Sequence, residues 1–309
     1  MNTQSNAMPE PLGSRVTAPA TLSEARPFYW SVRRELWEYR SIYLAPLAIA
    51  GVILLGFGFV LFHLPHTMRT LSSLDPAHQR SALAQPYDFA AGLIMGAAFI
   101  VSFFYSLDTL YGERRDRSIF FWKSLPVSDL TTVLAKASIP LLALPIIAFV
   151  ITVVTQSIML LLSSLVLLAS GLSVATLWMQ LELYQTLMML LYHLVTVHML
   201  WYAPIYAWLL LVSAWARRMP FLWAVLPPLA IHIFEKIAFH SSYFTALMKY
   251  RFSGGSAAVA SMQGNFPIHP GMHLTPLNFL SSPGLWIGLG FAAAFLAAAA
   301  RLRRYQGPI

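Results

Sequence analysis

Long apolar runs alternate with shorter polar segments along most of this chain. A helix rises about 1.5 Å per residue, so roughly 20 apolar residues cross a hydrocarbon core of about 30 Å. By this measure the sequence predicts six transmembrane helices, which cover about residues 43–64, 89–110, 137–165, 190–216, 221–239 and 284–300. The predicted fold is an all-α membrane protein whose six-span domain covers residues 43–304.

The polar segments beside these spans differ in length and composition. Residues 1–26 are polar and rich in proline and lack the apolar run of a signal peptide, which predicts a disordered cytoplasmic tail. Residues 63–88 are predicted to form a polar loop, and residues 305–309 a second short tail. A structureless stretch as long as residues 240–283 is uncommon, so we expect part of it to form re-entrant helices.

Residues 27–42, which precede the first span, predict an amphipathic helix lying in the membrane interface. At about 100° per residue one side of it is apolar, while Glu35 falls on the far side. The apolar side consists of Phe28, Tyr29, Val32, Leu36 and Tyr39. Interfacial helices place aromatic residues at headgroup depth and arginines against anionic lipid. Trp30 and Trp37 form a separate stripe, which we expect to contact either lipid or a partner.

The longest charged segment, residues 108–136, lies between the second and third spans. Its charged residues are Asp108, Glu113, Arg114, Arg115, Asp116, Arg117, Lys123, Asp129 and Lys136. Between Arg117 and Lys123 it is aromatic, with the run Ile119 to Trp122. Such a run is costly to expose in water, and cations on both sides of it suit a membrane surface or a groove on a partner protein.

Local signals divide this segment further. Gly112 is expected to end the second span, and residues 113–124 to form a short helix that stops before Pro126, because the residue before a proline avoids the helical conformation. Ser128 predicts the N-cap of the following helix. Pro140 predicts a kink near the start of the third span.

Composition supports the membrane interpretation. Of 309 residues, 58% are hydrophobic and only 10% are charged, whereas a soluble domain has roughly a quarter charged residues. The chain has no cysteine, which excludes disulfides, thiolate metal sites and a cysteine nucleophile. A net charge of +8 would favour nucleic acid as the partner of a soluble protein, but in a membrane protein basic residues mark the cytoplasmic loops. We therefore expect no nucleic-acid partner.

The distribution of basic residues predicts the orientation. With the N-terminus in the cytoplasm, the inner segments hold fifteen basic residues and the outer loops hold four. The fifteen are Arg15, Arg26, Arg33, Arg34, Arg40, Arg114, Arg115, Arg117, Lys123, Lys136, Arg217, Arg218, Arg301, Arg303 and Arg304. The four are Arg69, Arg80, Lys249 and Arg251, with Lys236 near the outer end of the fifth span. This asymmetry predicts that both termini are cytoplasmic.

Motifs that carry chemistry are scarce. The sequence has no GxxxxGK[ST] phosphate loop and no GxGxxG, HExxH or GxSxG motif, so we expect that it does not bind ATP itself. His232, Glu235 and Lys236 lie close together on the fifth span. Ionisable groups within a membrane favour a functional site, here a proton relay or a substrate contact. The alternative is an interfacial charge cluster that anchors the outer end of this span.

Residues 112–136 resemble part of a known family. The string GERRDRSIFFWKSLPVSDLTTVLAK is similar to the first cytoplasmic loop of bacterial ABC-2 type transporter permeases, in which an E-R segment precedes S-I-x-F-W-K-S-L-P-V-S-D and a lysine opens the next span. The matching residues are Glu113, Arg114, Ser118, Ile119, Phe121, Trp122, Lys123, Ser124, Leu125, Pro126, Val127, Ser128, Asp129 and Lys136. The interfacial helix, the six spans and the long loop before the last span agree with this family in outline.

The resemblance implies a non-catalytic, multi-pass permease subunit of an ATP-driven exporter in a bacterial inner membrane. The loop would be a coupling helix that seats in a separate ABC ATPase subunit, with two permease chains and two ATPase chains in the working transporter. ATP and Mg²⁺ would be bound by the ATPase, and this chain would hold no cofactor or metal. The coupling residues implied are Glu113, Arg114, Arg117, Ile119, Phe120, Phe121, Trp122, Lys123, Leu125 and Pro126.

Three other classes of function stay open at this point. A proton-coupled secondary transporter would use His232, Glu235 and Lys236, but it predicts internal repeats, of which the sequence shows none. A membrane-embedded enzyme needs a polar catalytic constellation at one depth, which the scattered histidines do not supply. A membrane anchor or sensor would hold a cytoplasmic partner without moving a substrate.

Overall fold

The structure is a computed structural model that describes residues 25–71, 75–124, 127–181, 183–252 and 279–307. About 90% of these residues are helical and none of them lies in a β-strand, as expected for an all-α protein. Most of the predicted N-terminal tail and of the long loop before the last span lies outside the described residues, and so do Leu125 and Pro126.

In the described part the chain forms twelve α-helices and two π-helical segments. The α-helices are α1 (Ala25–Glu38), α2 (Ser41–Leu71), α3 (Pro76–Arg115), α4 (Ile119–Ser124), α5 (Asp129–Ser138), α6 (Leu144–Ala169), α7 (Ala175–Leu181), α8 (Leu183–His193), α9 (Ala203–Trp215), α10 (Pro220–Phe239), α11 (Tyr243–Phe252) and α12 (Pro283–Tyr305). The π-helical segments, π1 (Ile139–Ala143) and π2 (Leu194–Trp201), continue α5 and α8.

Six helical stretches of the described chain are long and apolar enough to cross a membrane. They are Ser41–Thr70, His78–Arg115, Asp129–Ala169, Leu177–Trp201, Pro220–Phe239 and Pro283–Tyr305. The helix Ala203–Trp215 is also apolar but is shorter. The protein is therefore a multi-pass helical membrane protein, which is the class that the hydropathy pattern predicts.

Helices α2 and α3 are longer than the spans predicted for them. The polar loop predicted at residues 63–88 is wrong, because α2 continues to Leu71 and α3 begins at Pro76. Helical turns that lie outside the hydrocarbon carry polar residues, so hydropathy alone does not distinguish them from a loop. Pro86 lies inside α3 even though an interior proline costs about 3 kcal/mol. Its neighbour Tyr87 is buried among residues of α2, α6 and α7, and this packing stabilises the helix.

Irregular backbone marks the third and fourth predicted spans. The kink predicted at Pro140 coincides with π1, which joins α5 and α6 into one apolar stretch. The fourth predicted span, residues 190–216, is not one helix: the chain bends at Tyr202, between π2 and α9. Pro204, in the first turn of α9, explains the break, since it has no N–H with which to continue the hydrogen bonds of π2.

The bundle is built around α3, which packs against α2, α6 and α9. Helix α12 packs against α9, and α1 packs against α5. One end of the bundle, called the polar end below, brings together α1, α4, the start of α5 and the ends of α3, α9 and α12. The opposite end, the distal end, contains the end of α2, the start of α3 and the connection between α6 and α7.

Helix α11 folds from part of the loop predicted at residues 240–283. Arg251, in its last turn, donates to the carbonyl oxygens of Trp201 at 3.2 Å and Gly284 at 2.9 Å. The Arg251 guanidinium also lies 4.4 Å from the centre of the Trp201 ring. A side chain at position 288 would collide with this guanidinium, so Gly288 leaves the space that it occupies. These contacts fasten α11 to π2 and α12.

Candidate functional site

Six charged side chains at the polar end form one set of ion pairs. This charged network consists of Arg34, Glu35, Glu113, Asp129, Lys136 and Arg303. Lys136 Nζ lies 2.8 Å from Glu35 Oε1 and 3.2 Å from Glu113 Oε1. Arg34 Nη2 lies 2.7 Å from Glu35 Oε1 and 2.9 Å from Glu113 Oε1. The two carboxylates thus share two cations and join α1, α3 and α5.

Arg303 extends the charged network to α12. Its guanidinium donates to Glu113 Oε2 at 3.1 Å and to the carboxylate of Asp129. The side chains of Lys136, Arg303 and Glu113 are exposed by only 1%, 3% and 4%. A buried charge that loses its partner costs several kcal/mol, so each member depends on the others. Within these six side chains three carboxylates face three cations.

Glu35 lies at the centre of this network, and its predicted place on the far side of the amphipathic helix is wrong. Its residue is 2% exposed, and its Oε2 accepts from Tyr105 Oη at 2.8 Å and Thr109 Oγ1 at 3.1 Å. Lys136 Nζ also donates to Thr109 Oγ1, at 2.8 Å. At 100° per residue Glu35 in fact projects only about 20° from Phe28, at the edge of the apolar side, so it faces the bundle, where α3 and α5 supply its polar partners.

The charge of Arg34 is secured by its neighbours. Burial lowers the pKa of the Arg34 guanidinium, but the carboxylates of Glu35 and Glu113 raise it by more, so that the net pKa lies above its ordinary value. Arg34 also lies 3.4 Å from Glu38, one turn further along α1. A cation that stays charged under all working conditions suits a structural junction between helices.

The connection from α3 to α4 differs from the prediction. α3 continues through Gly112, because the N–H of Asp116 closes the last turn on the Gly112 carbonyl at 2.9 Å. The chain then turns at Arg117, whose φ of 58° is left-handed, and the short helix covers only Ile119–Ser124 instead of residues 113–124. A helix of this length is not stable by itself, so its neighbours hold it in place.

One side of α4 faces the bundle. Ile119 is 1% exposed and lies against the end of α3 and α9. The guanidinium carbon of Arg34 lies 3.6 Å from the centre of the Trp122 ring. Lys123 Nζ donates to the carbonyl of Gln306 at 3.1 Å and to a second carbonyl at the end of α12. These three contacts fasten α4 to α1, α3, α9 and α12.

The other side of α4 faces away from the protein. Phe120 and Phe121 are 62% and 60% exposed. The ring of Phe121 meets Trp122 edge to face at 4.8 Å, which fixes its direction. Exposed aromatic side chains in a contiguous patch mark a surface that another molecule covers. The short helix therefore combines a firmly held inner side with an aromatic outer side.

The remaining predicted coupling residues have different surroundings. Arg114 is 6% exposed and donates to the carbonyls of Ala214, Ala216 and Gly307, groups that the ends of α9 and α12 leave without helical partners. Arg117 is exposed. The last two members of the predicted set, Leu125 and Pro126, lie outside the described residues.

The cluster predicted on the fifth span is brought together only in part. Glu235 accepts from Ser241 Oγ at 2.9 Å and from the backbone N–H groups of Tyr243 and Phe244 at 2.6 and 2.9 Å. His232 is hydrogen-bonded to Thr245, and Lys236 is exposed. A carboxylate on the first N–H groups of a helix is a capping arrangement, so Glu235 holds the start of α11. A role for this cluster in proton transfer stays a prediction.

Comparison with family models, curated proteins and solved structures finds no match for this chain. In the described residues no group of three or more histidine, aspartate or glutamate side chains is arranged to hold a metal ion. The geometry singles out the polar end, where Arg34 of the charged network stacks on Trp122 of α4.

Proposed function

We propose that this protein is the membrane-spanning permease subunit of an ATP-driven exporter of the ABC-2 type, and that a separate ATPase subunit docks on α4. One observation carries the proposal: α4 is fastened to the bundle through Ile119, Trp122 and Lys123 and presents Phe120 and Phe121 outwards. Aromatic anchors that enter a pocket on a partner supply most of the binding energy of an interface. ATP and Mg²⁺ would be bound by the ATPase.

The contacts of α4 connect the docking surface to helices of the bundle. Displacement of α4 acts on α1 through Trp122 and Arg34 and on α12 through Lys123. Beneath it the charged network ties α1, α3, α5 and α12 into one unit, since separating any pair would leave a buried charge without a partner. Closure of the ATPase pair would therefore move these helices together, and the substrate pathway with them.

The proposal assigns an orientation and a second permease chain. The polar end faces the cytoplasm, where ATP is present, in agreement with the concentration of arginine and lysine in the segments that meet there. Helix α10 packs so lightly that Ala224 is its one buried residue. Its apolar surface is available both to lipid and to a second permease chain.

Capture of the partner tests this function. Tagged protein is purified from native membranes in mild detergent, and mass spectrometry identifies any protein with a phosphate-binding loop that accompanies it in stoichiometric amount. We expect an ATPase with the wild type and a loss of about thirtyfold or more in its affinity with the double variant Phe120→Ala/Phe121→Ala, because anchors of this kind contribute about 2 kcal/mol or more.

The matched control is Phe62→Ala on α2, whose side chain is 82% exposed but lies toward the distal end. This variant is expected to retain the ATPase in full. Full retention by the Phe120→Ala/Phe121→Ala variant would reject α4 as the docking surface. A wild-type protein that is monodisperse and carries no ATPase would reject the permease assignment itself.

A further inference from the structure

The outer side of α1 carries a cation held between two tryptophans. Trp30 and Trp37 are 58% and 72% exposed. The guanidinium carbon of Arg33, which lies between them in sequence, is 5.1 Å from the centre of the Trp30 ring and 5.3 Å from that of Trp37. Both distances fall within the range of cation–π attraction, so the two rings hold the guanidinium in one position on the surface.

No acidic side chain in the described part of the chain forms an ion pair with Arg33. The acidic residues of α1 are engaged elsewhere, since Glu35 belongs to the charged network and Glu38 pairs with Arg34. The two rings therefore fix the position of the guanidinium, but no carboxylate neutralises its charge. Its five N–H donors match the oxygens of a phosphate.

The position of the stripe formed by Trp30, Arg33 and Trp37 relative to the membrane indicates which kind of molecule it contacts. At about 100° per residue Trp30, Arg33 and Trp37 lie on the side of α1 opposite to Glu35, which is buried in the charged network. Helix α2 begins three residues after the end of α1, and its second turn already exposes apolar side chains, Leu44 at 53% and Leu47 at 50%. The stripe thus lies beside the level at which the lipid-facing surface starts, where tryptophan is favoured and phospholipid phosphates are located.

We propose that Trp30, Arg33 and Trp37 form a binding site for the headgroup of an anionic phospholipid. The phosphodiester accepts hydrogen bonds from the Arg33 guanidinium, and the two indole rings border it at headgroup depth. A headgroup with net negative charge is preferred over a zwitterionic one, because the choline of phosphatidylcholine brings its own cation to a surface that is already positive. This site contains neither Phe120 nor Phe121, and its lipid preference is measured without an ATPase.

Tryptophan quenching by brominated lipid tests the site in the full-length protein. The protein is placed in phosphatidylcholine nanodiscs in which a fraction of either phosphatidylglycerol or phosphatidylcholine is brominated near the headgroup end of its acyl chains. Since the chain has nine tryptophans, the signal of the site is the difference between the wild type and the Trp30→Phe/Trp37→Phe variant. We expect brominated phosphatidylglycerol to quench this difference signal with an apparent affinity about fivefold higher, the ratio that one basic residue gives at an anionic surface.

Arg33→Gln is expected to abolish the preference for phosphatidylglycerol while the rings remain accessible to both lipids. The control Arg218→Gln removes the same charge from an exposed turn at the polar end and is expected to keep the preference. Equal quenching by both lipids in the wild type, or a preference that survives Arg33→Gln, would overturn the proposal. So would the absence of quenching by either lipid, since a protein surface would then cover the stripe.

Discussion

Glu113 is the carboxylate on which the charged network depends most. It lies 2.9 Å from Arg34, 3.2 Å from Lys136 and 3.1 Å from Arg303. Glu113→Ala removes one of the two carboxylates that contact each of the buried cations Lys136 and Arg303, and breaking buried ion pairs in this way costs about 3–5 kcal/mol. We therefore expect a large decrease in the thermal unfolding midpoint, measured by circular dichroism in detergent.

Asp116→Ala provides the comparison for Glu113→Ala. Asp116 lies one turn away, its side chain is 62% exposed, and it pairs with the exposed Arg115. Exposed pairs contribute less than about 1 kcal/mol, so this variant should unfold close to the wild-type temperature. Equal midpoints for the two variants would contradict the structural role of the network.

Variants of the adjacent aromatic residues Trp122 and Phe121 are expected to affect the stability of the protein and its docking to the ATPase to different degrees. Trp122→Leu removes the ring that stacks on Arg34, a cation–π contact of about 1–2 kcal/mol, and should lower the unfolding midpoint. Phe121→Leu removes an exposed ring whose one ring contact is with Trp122, so it should lower the midpoint less than Trp122→Leu does while it weakens ATPase capture. Measuring unfolding and capture for both variants checks this, and identical midpoints would show that Trp122 does not hold α4.

At the scale of single residues, the sequence predicted the aromatic run Ile119 to Trp122 but not the charged network beneath it. The ion pair between Lys136 and Glu35 joins positions 101 residues apart, and the one between Glu113 and Arg303 joins positions 190 apart. A projection of one helix contains no information about such partners. The available signal was the isolation of Lys136 beside an apolar run, because a charge in that position needs a counterion.

The helix ends show which local signals are reliable. Ser128 was predicted as an N-cap, and its Oγ accepts from the Thr131 N–H at 3.0 Å, since capping involves only residues within one turn. Gly112 was predicted to break a helix and does not, because a glycine costs only about 1 kcal/mol in a helix interior and the packing of α3 outweighs it. Short-range chemistry is thus predictable, whereas the outcome of tertiary packing is not.

Helix α11 offers a prediction at the scale of the element. Glu235→Gln weakens the three hydrogen bonds that hold the helix start, because a neutral amide accepts less strongly from N–H groups than a carboxylate does. We expect faster amide hydrogen exchange in residues 243–252, measured by mass spectrometry, with export activity retained. The neighbouring Lys236→Gln is the control, since Lys236 is exposed and should leave exchange unchanged.

The same pair of variants addresses the rival mechanism. A proton-coupled carrier would lose transport in Glu235→Gln even where the exchange of α11 is unaltered. That combination would contradict the capping role and favour proton transfer through His232 and Glu235. Faster exchange with transport intact would instead support the structural role.

For the whole molecule, helix length explains why the spans predicted for α2 and α3 were too short. Helix α3 has 40 residues and is therefore about 60 Å long, twice the thickness of the hydrocarbon core. Hydropathy identifies the middle of such a helix and assigns its polar ends to loops. Glu113 and Arg303 of the charged network lie on such extensions at the polar end, so the sequence predicted the number of spans and missed the contacts that the extended helix ends make.

The absence of cysteine from the chain makes the orientation of the bundle directly measurable. Arg218→Cys and Tyr305→Cys place single thiols at exposed positions of the polar end, and Ser173→Cys and Ser242→Cys place them at exposed positions toward the distal end. In intact bacterial spheroplasts we expect a membrane-impermeant maleimide to label the distal pair. The polar pair should react only after permeabilisation, because basic segments are retained in the cytoplasm.

The pattern of labelling distinguishes an incorrect fold of the polar end from an inverted orientation of the whole bundle. If Arg218→Cys and Tyr305→Cys react from opposite sides, the two segments do not share one end of the bundle, and the charged network itself is refuted. If both react from outside, the bundle is intact but inverted, and an ATPase has no access to α4. Labelling of the polar pair from the cytoplasm alone is the outcome that both the fold and the docking of an ATPase require.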